Sequence, residues 1–511
     1  MLKRKKQTKT LKKNKANFLD LNFIIQEEIK QNRLRTKFKK NYKLSDFEKL
    51  SLKAKSHSDY THIPFVTIDG EDSKDFDDAV YAFPKKENFI IMTAIADVSY
   101  YVKANTALDS EAKERANSFY FPGMVIPMLP ELLSNNLCSL VPDKKRLCLV
   151  VEIEINLEGL IIKTKISRGI IRSRAKLTYN EVQNHIDKKS FLKRDIGTLV
   201  DNIFKAYSSL KKGSFKRGKI EFDTEEFEIK KKSHDKNNFA FSKKKTLISM
   251  KLIEEFMIIT NKAIAEFSKE KKINILYRNH DKPSAEKMLK LKEFFKRLNK
   301  DVFKDNSNLN IEFNRILKNK KNKNYNLFKD IILKSQSKAT YDFNNEGHFG
   351  LALNSYTHFT SPIRRYSDLL VHREICDFIS NNVTNKYRSI NKILCNHLLE
   401  QEKKSENIER SITEKACCIY LSKMKKKFFF GFVDGVTEFG IFIKSSELPF
   451  SGLAKIKNIN GDYNSFDIRK NCIQGRNKGI KFLIGQKVSF KIKNNNIEKG
   501  LISLEKVRHE N

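Results

Sequence analysis

Val66-Thr67-Ile68-Asp69-Gly70-Glu71-Asp72-Ser73-Lys74-Asp75-Phe76-Asp77-Asp78-Ala79-Val80 is the stretch from which the rest of the chain is best read. Asp69, Asp75, Asp77 and Asp78 follow one another at spacings of six, two and one. The apolar, β-branched run 65–68 precedes them and the apolar run 79–83 follows, which predicts two strands with the acids between them, in or beside the core. Gly70 is expected to let the backbone turn tightly there. Carboxylates gathered in such a place repel, since two charges about 4 Å apart at an effective dielectric of about 20 cost roughly 4 kcal/mol. A cation has to compensate them. Oxygen donors without His or Cys suit Mg2+, with Mn2+ as the alternative, rather than zinc. Hydrolysis of a phosphodiester fits, because two such ions about 3.5–4 Å apart clamp both the attacking and the leaving oxygen. The competing reading is a solvated acidic turn, which has no reason to lie between two apolar strands. An EF-hand is disfavoured by the missing alternate acids and closing Glu.

Length and composition bound the rest. A chain of 511 residues, 40% of them hydrophobic, has room for two to four domains with sizeable cores and is not a disordered chain. The formal charge of +39, from 100 Lys+Arg against 61 Asp+Glu, points to a polyanionic partner, and 11% aromatic residues supply faces for bases. Abundant Lys, Asn, Ile and Phe without Trp also fit drift toward AT-rich codons, which leaves part of that charge without a function. Seven cysteines without C-x-x-C spacing read as reduced thiols of a cytoplasmic protein, adjacent Cys417 and Cys418 as inert ones. No apolar run reaches the eighteen residues of a membrane span, so no membrane partner is expected.

Residues 1–55 read as a basic, poorly ordered arm, with no order expected before Ser45, that either holds RNA phosphates or only solubilises the chain. Strand-rich sequence from Asn88 to Val102 is followed by a helical segment and then, from Ser118 to Leu140, by S-F-Y-F-P-G-M-V-I-P-M-L-P-E-L-L-S-N-N-L-C-S-L. With the aspartate stretch these segments resemble the catalytic (RNB) domain of the ribonuclease II/ribonuclease R family of exoribonucleases. That family's motif Asp-(five residues)-Asp-x-Asp-Asp is matched at every acid. R-S-R-A-K-L-T-Y-N-E-V from Arg172 and R-G-K-I-E-F-D from Arg217 resemble further family blocks in the right order. In the segment Leu247 to Phe267, Leu252, Phe256, Ala263 and Phe267 share a helical face, which predicts a buried helix. The Lys/Asn-rich stretch 299–326 reads as a variable surface excursion.

A second constellation runs from Gly347 to Arg373, G-H-F-G-L-A-L-N-S-Y-T-H-F-T-S-P-I-R-R-Y-S-D-L-L-V-H-R. Ser361 suits an N-cap and Pro362 the first helical position, so a helix is expected from there toward Ile379 with Arg364 and Arg365 in its first turn. Cations oppose the macrodipole at that end, which suggests a phosphate ligand; the alternative is that one of them pairs with Asp368. His348, His358 and His372 read as hydrogen-bonded structural residues.

From Lys425 onward short strands predict a small β-barrel. G-x-V-x-x-V-x-x-F-G-x-F-I, from Gly431 to Ile443, resembles the S1 domain, an OB-fold that binds single-stranded RNA. Phe439 and Phe442 are its candidate stacking platforms, with barrel core as the rival reading; for Phe439 the shared strand parity with Ile441 and Ile443 makes core a serious rival. Lys455 stands where such modules often carry His.

The expected fold class is thus α+β: a mixed α/β RNB catalytic domain over residues 56–424 and an all-β OB-fold barrel of S1 type over 425–507. The arm is too short for the cold-shock OB-folds that bacterial relatives carry before the catalytic domain. The resemblance implies a Mg2+-dependent 3′→5′ exoribonuclease that processively hydrolyses single-stranded RNA with a free 3′ end to nucleoside 5′-monophosphates, in RNA turnover, as a monomer. Asp69, Asp75, Asp77 and Asp78 would hold metal, Asp77 also orienting the attacking water, and Arg364 would stabilise the transition-state phosphate. Tyr120 and Tyr277 would stack the last bases, and Arg365 is placed with Arg364 among the RNA-binding residues. The rivals are a catalytically inactive RNA-binding or ribosome-associated factor, against which the four acids argue, and a nuclease acting on DNA. Association with a ribosome or helicase has no residue behind it.

Overall fold

The computed structural model describes residues 20–510 except 52–56, 223–225, 232–238, 298–302, 304–307, 321, 323–324, 382–390, 427, 460–462, 468–471 and 478. The basic start Met1 to Lys15 therefore lies outside the described residues, as do Asp223 and much of 299–326.

Nine strands fill the first third: β1 (Ser58–Asp59), β2 (Val66–Asp69), β3 (Asp78–Lys85), β4 (Asn88–Ala96), β5 (Phe119–Phe121), β6 (Met124–Ile126), β7 (Lys145–Ile155), β8 (Ile161–Arg172) and β9 (Ala175–Thr178). Seven of them form one sheet in the order β1-β8-β7-β4-β3-β2-β9. Its outermost pairings, β1 with β8 and β2 with β9, are parallel and the rest antiparallel. β4 is buried at every position from Ile90 to Ala96, as a strand covered on both faces must be. The expected buried helix is present as Ile248–Glu270, with Leu252, Phe256 and Ala263 enclosed, and it packs on this sheet. Thr260 on that helix and Thr93 on β4 share a hydroxyl hydrogen bond of 2.6 Å, which satisfies both groups inside the core.

Three local expectations are corrected. From residue 20 onward the N-terminal region is ordered before Ser45: Leu21–Gln31 is a helix capped by Asp20, with Leu21, Ile24, Ile25 and Ile29 buried at i, i+3, i+4 and i+8. Part of the supposed surface excursion is also built in. Leu309–Lys318 is a helix whose Phe313 is fully buried in a satellite core with Phe295 and Phe328. Finally, the helix expected from Ser361 starts only at Tyr366, although it ends at Ile379 as read. The Arg365 N–H does reach the Ser361 carbonyl, but the Tyr366 N–H, which would continue the turn to Pro362, goes to the Ala116 carbonyl, and the Ile363 N–H goes to Asp77 Oδ1. Arg364 therefore precedes the helix and Arg365 occupies its N-cap position.

The last eighty residues are rich in β structure. Phe429–Thr437 pairs with Gly440–Ser445, which pairs with Ser451–Lys455; that strand runs parallel to Leu501–His509, which pairs with Lys487–Asn496. Lys487–Asn496 in turn pairs with Phe429–Thr437. Cys417, Cys418 and Leu421, at the end of the long helix Lys392–Ser422, share a core with these strands. All seven cysteines are buried, and burial pushes the Cys418 thiol up to about 12 and raises Cys417 as well, in keeping with inert thiols. Among the described residues no helix is long and apolar enough to cross a membrane.

Candidate active site

Asp69 ends β2 and Asp78 begins β3, and these strands are antiparallel neighbours, so both carboxylates emerge at one end of the sheet with the loop 70–77 between them. The loop is latched from outside. Ser139 Oγ accepts the Phe76 N–H at 3.0 Å and donates to the Lys74 carbonyl at 2.6 Å, while Lys176 Nζ donates to the carbonyls of Glu71 and Ser73. Gly70 is not required by a left-handed backbone, since its φ is not positive; an added Cβ would come to 3.3 Å from Ser73 Oγ. The turn expectation is thus met by side-chain latches rather than by glycine geometry.

The acids line a cavity of about 670 Å3. One wall is the helix Ile248–Glu270, with Glu254, Met257 and Asn261; another is the segment Tyr356 to Arg365; Tyr120 from the β5–β6 hairpin and Lys244 complete it. Asp77 is buried: Oδ1 accepts the Ile363 N–H at 2.8 Å and Oδ2 lies 3.4 Å from Arg364 Nε. Asp75 Oδ2 accepts the Tyr120 hydroxyl at 2.7 Å, and Asp69 Oδ1 accepts the Gly70 N–H at 2.7 Å. The Asp78 carboxylate makes no side-chain hydrogen bond among the described residues. Burial raises its pKa to about 7, with Asp69 adding to the rise and Arg364 opposing it. Burial also raises Asp69 and lifts Asp77 well above the usual carboxylate range, and Asp75 adds to both. Four acids thus share one half-exposed guanidinium, and burial and mutual repulsion favour a proton or a cation on them.

Of the residues expected from sequence, Asp69, Asp75, Asp77, Asp78, Tyr120, Arg364 and Arg365 line this cavity. Arg365 is the arginine that pairs with Asp368, as the alternative reading had it: Nε and Nη2 donate to Asp368 Oδ2 and Oδ1 at 2.9 and 2.8 Å, and Asp368 is fully buried. The macrodipole argument fails for it, because its charge is met by an acid on the first helical turn. Tyr277 does not line the cavity either. It lies in a short strand, Tyr277–Asn279, paired with Thr340–Asp342, and is 7% exposed within the main core. Phe439 and Phe442 are exposed, at 70% and 40%, whereas Ile441 and Ile443 are fully buried. The parity argument for the rival core reading of Phe439 does not apply, because Phe439 stands outside both strands, in the connection before Gly440. Gly440 is needed there, since an added Cβ would meet the Ala454 carbonyl at 2.1 Å.

His372 and His348 are structural, as read. His372 Nε2 donates to the Phe359 carbonyl and His348 Nδ1 accepts the Leu351 N–H, while burial holds both imidazoles below the usual range. His358 does line the cavity, but its Nδ1 is engaged with the Tyr341 hydroxyl at 2.7 Å. Residues missed from sequence include Tyr179, which lines the cavity with Asp69, and Asn261, whose amide bonds Tyr356 Oη and the Phe359 N–H. A buried Asn on an otherwise apolar helix face was the legible signal for the second.

A two-sided mixed sheet ending in an acid-lined cavity, with an arginine facing the acids, defines a nuclease-like fold. The comparisons make the class specific. The RNB domain model matches residues 57–381, and the chain belongs to the RNB family of the ribonuclease II/R exoribonucleases. It is 34% identical over 478 residues to ribonuclease R of Buchnera aphidicola, covering 88% of this chain and 64% of that one. Ribonuclease R of Escherichia coli is 33% identical over 476 residues, with 88% and 57% covered. The chain thus spans about three fifths of the length of these curated relatives. Mycoplasma genitalium ribonuclease R, solved in complex with ribose-methylated single-stranded RNA, superposes with a TM-score of 0.85 at 31% identity, covering 95% of this chain and 78% of that one.

Proposed function

We propose that this protein is a 3′→5′ exoribonuclease that hydrolyses single-stranded RNA processively to nucleoside 5′-monophosphates. The observation that carries the reading is the convergence of Asp69, Asp75, Asp77 and Asp78 with Tyr120 and Arg364 on one cavity of a family member.

The donor set is oxygen-only, and burial and mutual repulsion favour a cation on it, which fits a hard divalent ion, Mg2+ or Mn2+. Among the described residues no three acids or imidazoles converge closely enough to hold one ion as the side chains stand. The physical reason is visible: Tyr120, Gly70 and Ile363 each draw one carboxylate toward an internal donor. Asp69, Asp75 and Asp78 would hold the metal, while Asp77, with both oxygens engaged, fits the role of orienting Arg364. The ion, when bound, supplies Lewis-acid activation of water and charge neutralisation at the phosphate.

The chain's own residues account for the rest. Arg364 presents a guanidinium fixed by Ser361 Oγ at 2.9 Å and by Asp77, aimed where negative charge develops on the phosphate. Tyr120 offers a ring face at the cavity rim, its hydroxyl held on Asp75. Residues 56–424 are read as the catalytic domain and 425–507 as an S1 domain. The circuit of five strand pairings that returns from Lys487–Asn496 to Phe429–Thr437 supports an OB-fold barrel, and Phe439 and Phe442 are exposed on it for stacking.

The test is product analysis on matched RNA and DNA oligomers with free or blocked 3′ ends. Nucleoside 5′-monophosphates from free-ended RNA alone are expected. Binding without turnover would return the protein to the RNA-binding factors, and equal turnover of DNA would remove the substrate class.

A further inference from the structure

We infer that residues 20–39, outside the span matched by the RNB model, belong to the framework of the catalytic centre, and that Arg115 is the positioning residue through which they set the Tyr120 hairpin and the Arg364 loop. The inference rests on the exoribonuclease reading above.

Tyr120 and Arg364 are both half-exposed at the cavity, so their placement depends on the backbone beneath them. Behind Tyr120 that support is the N-terminal helix. Along β5 the side chains alternate: Tyr120 faces the cavity, while Phe119 and Phe121 are buried in a cluster with Leu21, Ile24 and Ile25. The same face of the helix is pinned by a buried charge. Glu28, 4% exposed, accepts from Ser411 Oγ and Lys415 Nζ at 2.6 Å each.

Beyond the helix, the chain crosses the helix Ala107–Arg115 and is gripped by its backbone. Arg115 Nη1 donates to the Arg35 carbonyl at 2.8 Å and Nη2 to the Lys37 carbonyl at 2.9 Å; Glu111 accepts the Lys39 N–H. The Phe38 ring lies 4.0 Å from the guanidinium. The same guanidinium donates to the Pro127 carbonyl, one residue past β6, at 3.2 Å. The next residues carry the chain of bonds to the other catalytic element. Ala116 accepts the Tyr366 N–H at 2.8 Å, and the Ser118 N–H donates to the Arg364 carbonyl at 3.0 Å. A strap held only for general stability would not need its clasp at the one joint from which both the hairpin and the Arg364 loop depart.

The experiment compares Arg115→Lys and Phe38→Ala with the parent. Lysine keeps the charge but lacks the planar fork that bonds several carbonyls at once. Loss of two such bonds predicts a KM for RNA raised about tenfold, a smaller change in kcat and a longer limit product. Amide exchange at Ser118 and Tyr366 should rise about tenfold while β4 stays protected. If Arg115→Lys does not fold, Phe38→Ala decides by the same readouts. Folded variants with parental exchange at those two amides overturn the inference, as does raised exchange with an unchanged product ladder. A parent inactive on RNA would instead sink the exoribonuclease reading, and the exchange data would still report the coupling.

Discussion

Asp77 and Ile363, 286 positions apart, are joined by a 2.8 Å hydrogen bond in which the buried carboxylate accepts the backbone N–H. This bond ties the aspartate loop to the arginine loop, and Asp77 Oδ2 then meets Arg364 itself at 3.4 Å. One side chain thus links the acidic and basic halves of the site and, with Ser361 Oγ, sets the direction of the guanidinium.

Asp77→Asn keeps an acceptor for Ile363 but removes the charge that aligns Arg364. Turnover should fall about 10²- to 10³-fold, in the range seen when a preorganised electrostatic group is lost, while affinity for RNA stays within a few-fold. Single-turnover hydrolysis and equilibrium binding check it; parallel loss of binding would show that Asp77 acts in the groove instead.

The neighbouring arginines should separate cleanly. Arg364→Ala is expected to lower kcat by about 10²-fold or more with a nearly unchanged unfolding midpoint, because its side chain is half-exposed and aimed into the cavity. Arg365→Ala leaves Asp368 buried without its partner, which costs about 3–5 kcal/mol of stability. Thermal unfolding and kcat measured on both variants decide; a stable but inactive Arg365→Ala would restore that residue to the RNA-binding set.

How much of this was legible beforehand follows from the range of the interactions involved. The strands on either side of the acids and the helix Ile248–Glu270 are specified by local apolar period, and they formed where the residues predict. The helix start at Ser361 was misplaced because the amides of Ile363 and Tyr366 find acceptors in Asp77 and Ala116, which no local pattern announces. Leu21, Ile24, Ile25 and Ile29 do show helical spacing, but among so many lysines their period reads as a tail until Phe119, Phe121 and Ile412 are seen to cover it. Tyr277 was carried to the site by resemblance alone, and strand pairing with Asp342 places it in the core.

A pH-dependent stability change should come from Glu374, away from the acid cluster. Burial, with Asp377 adding repulsion, raises its pKa to about 7 from an ordinary value near 4.5. The folded state therefore binds the proton more tightly than the unfolded one. Its contribution to stability is complete below about pH 4.5 and is lost as pH rises through about 7. Glu374→Gln removes that loss, so the variant should gain about 1–2 kcal/mol over the parent at pH 8, after allowance for screening at this partly exposed position, and nothing near pH 4. Denaturant titrations at both pH values check the sign; an equal shift at both would mean that packing, not titration, distinguishes the two side chains.

The exposed rings of the C-terminal strands allow stacking to be separated from charge. Phe442 lies on the strand Gly440–Ser445, whose Gly440 pairs with Lys455, and Phe439 immediately precedes that strand. Base stacking is worth about 1–3 kcal/mol per ring and is insensitive to salt, whereas each phosphate contact on a single strand adds about 0.7 to the salt slope. Phe439→Ala with Phe442→Ala should therefore raise KM on a long unstructured RNA about tenfold or more, leaving kcat and the salt slope unchanged. Lys455→Ala should flatten the slope by about 0.7 with a smaller change in KM at high salt. Ile441→Ala, fully buried on the adjoining strand, should cost about 2–5 kcal/mol of stability, a control for damage to the module's core. Steady-state kinetics at several salt concentrations measure all of these, and a folded double phenylalanine variant with parental KM would leave the acid-lined cavity and its rim as the whole of the RNA-binding surface.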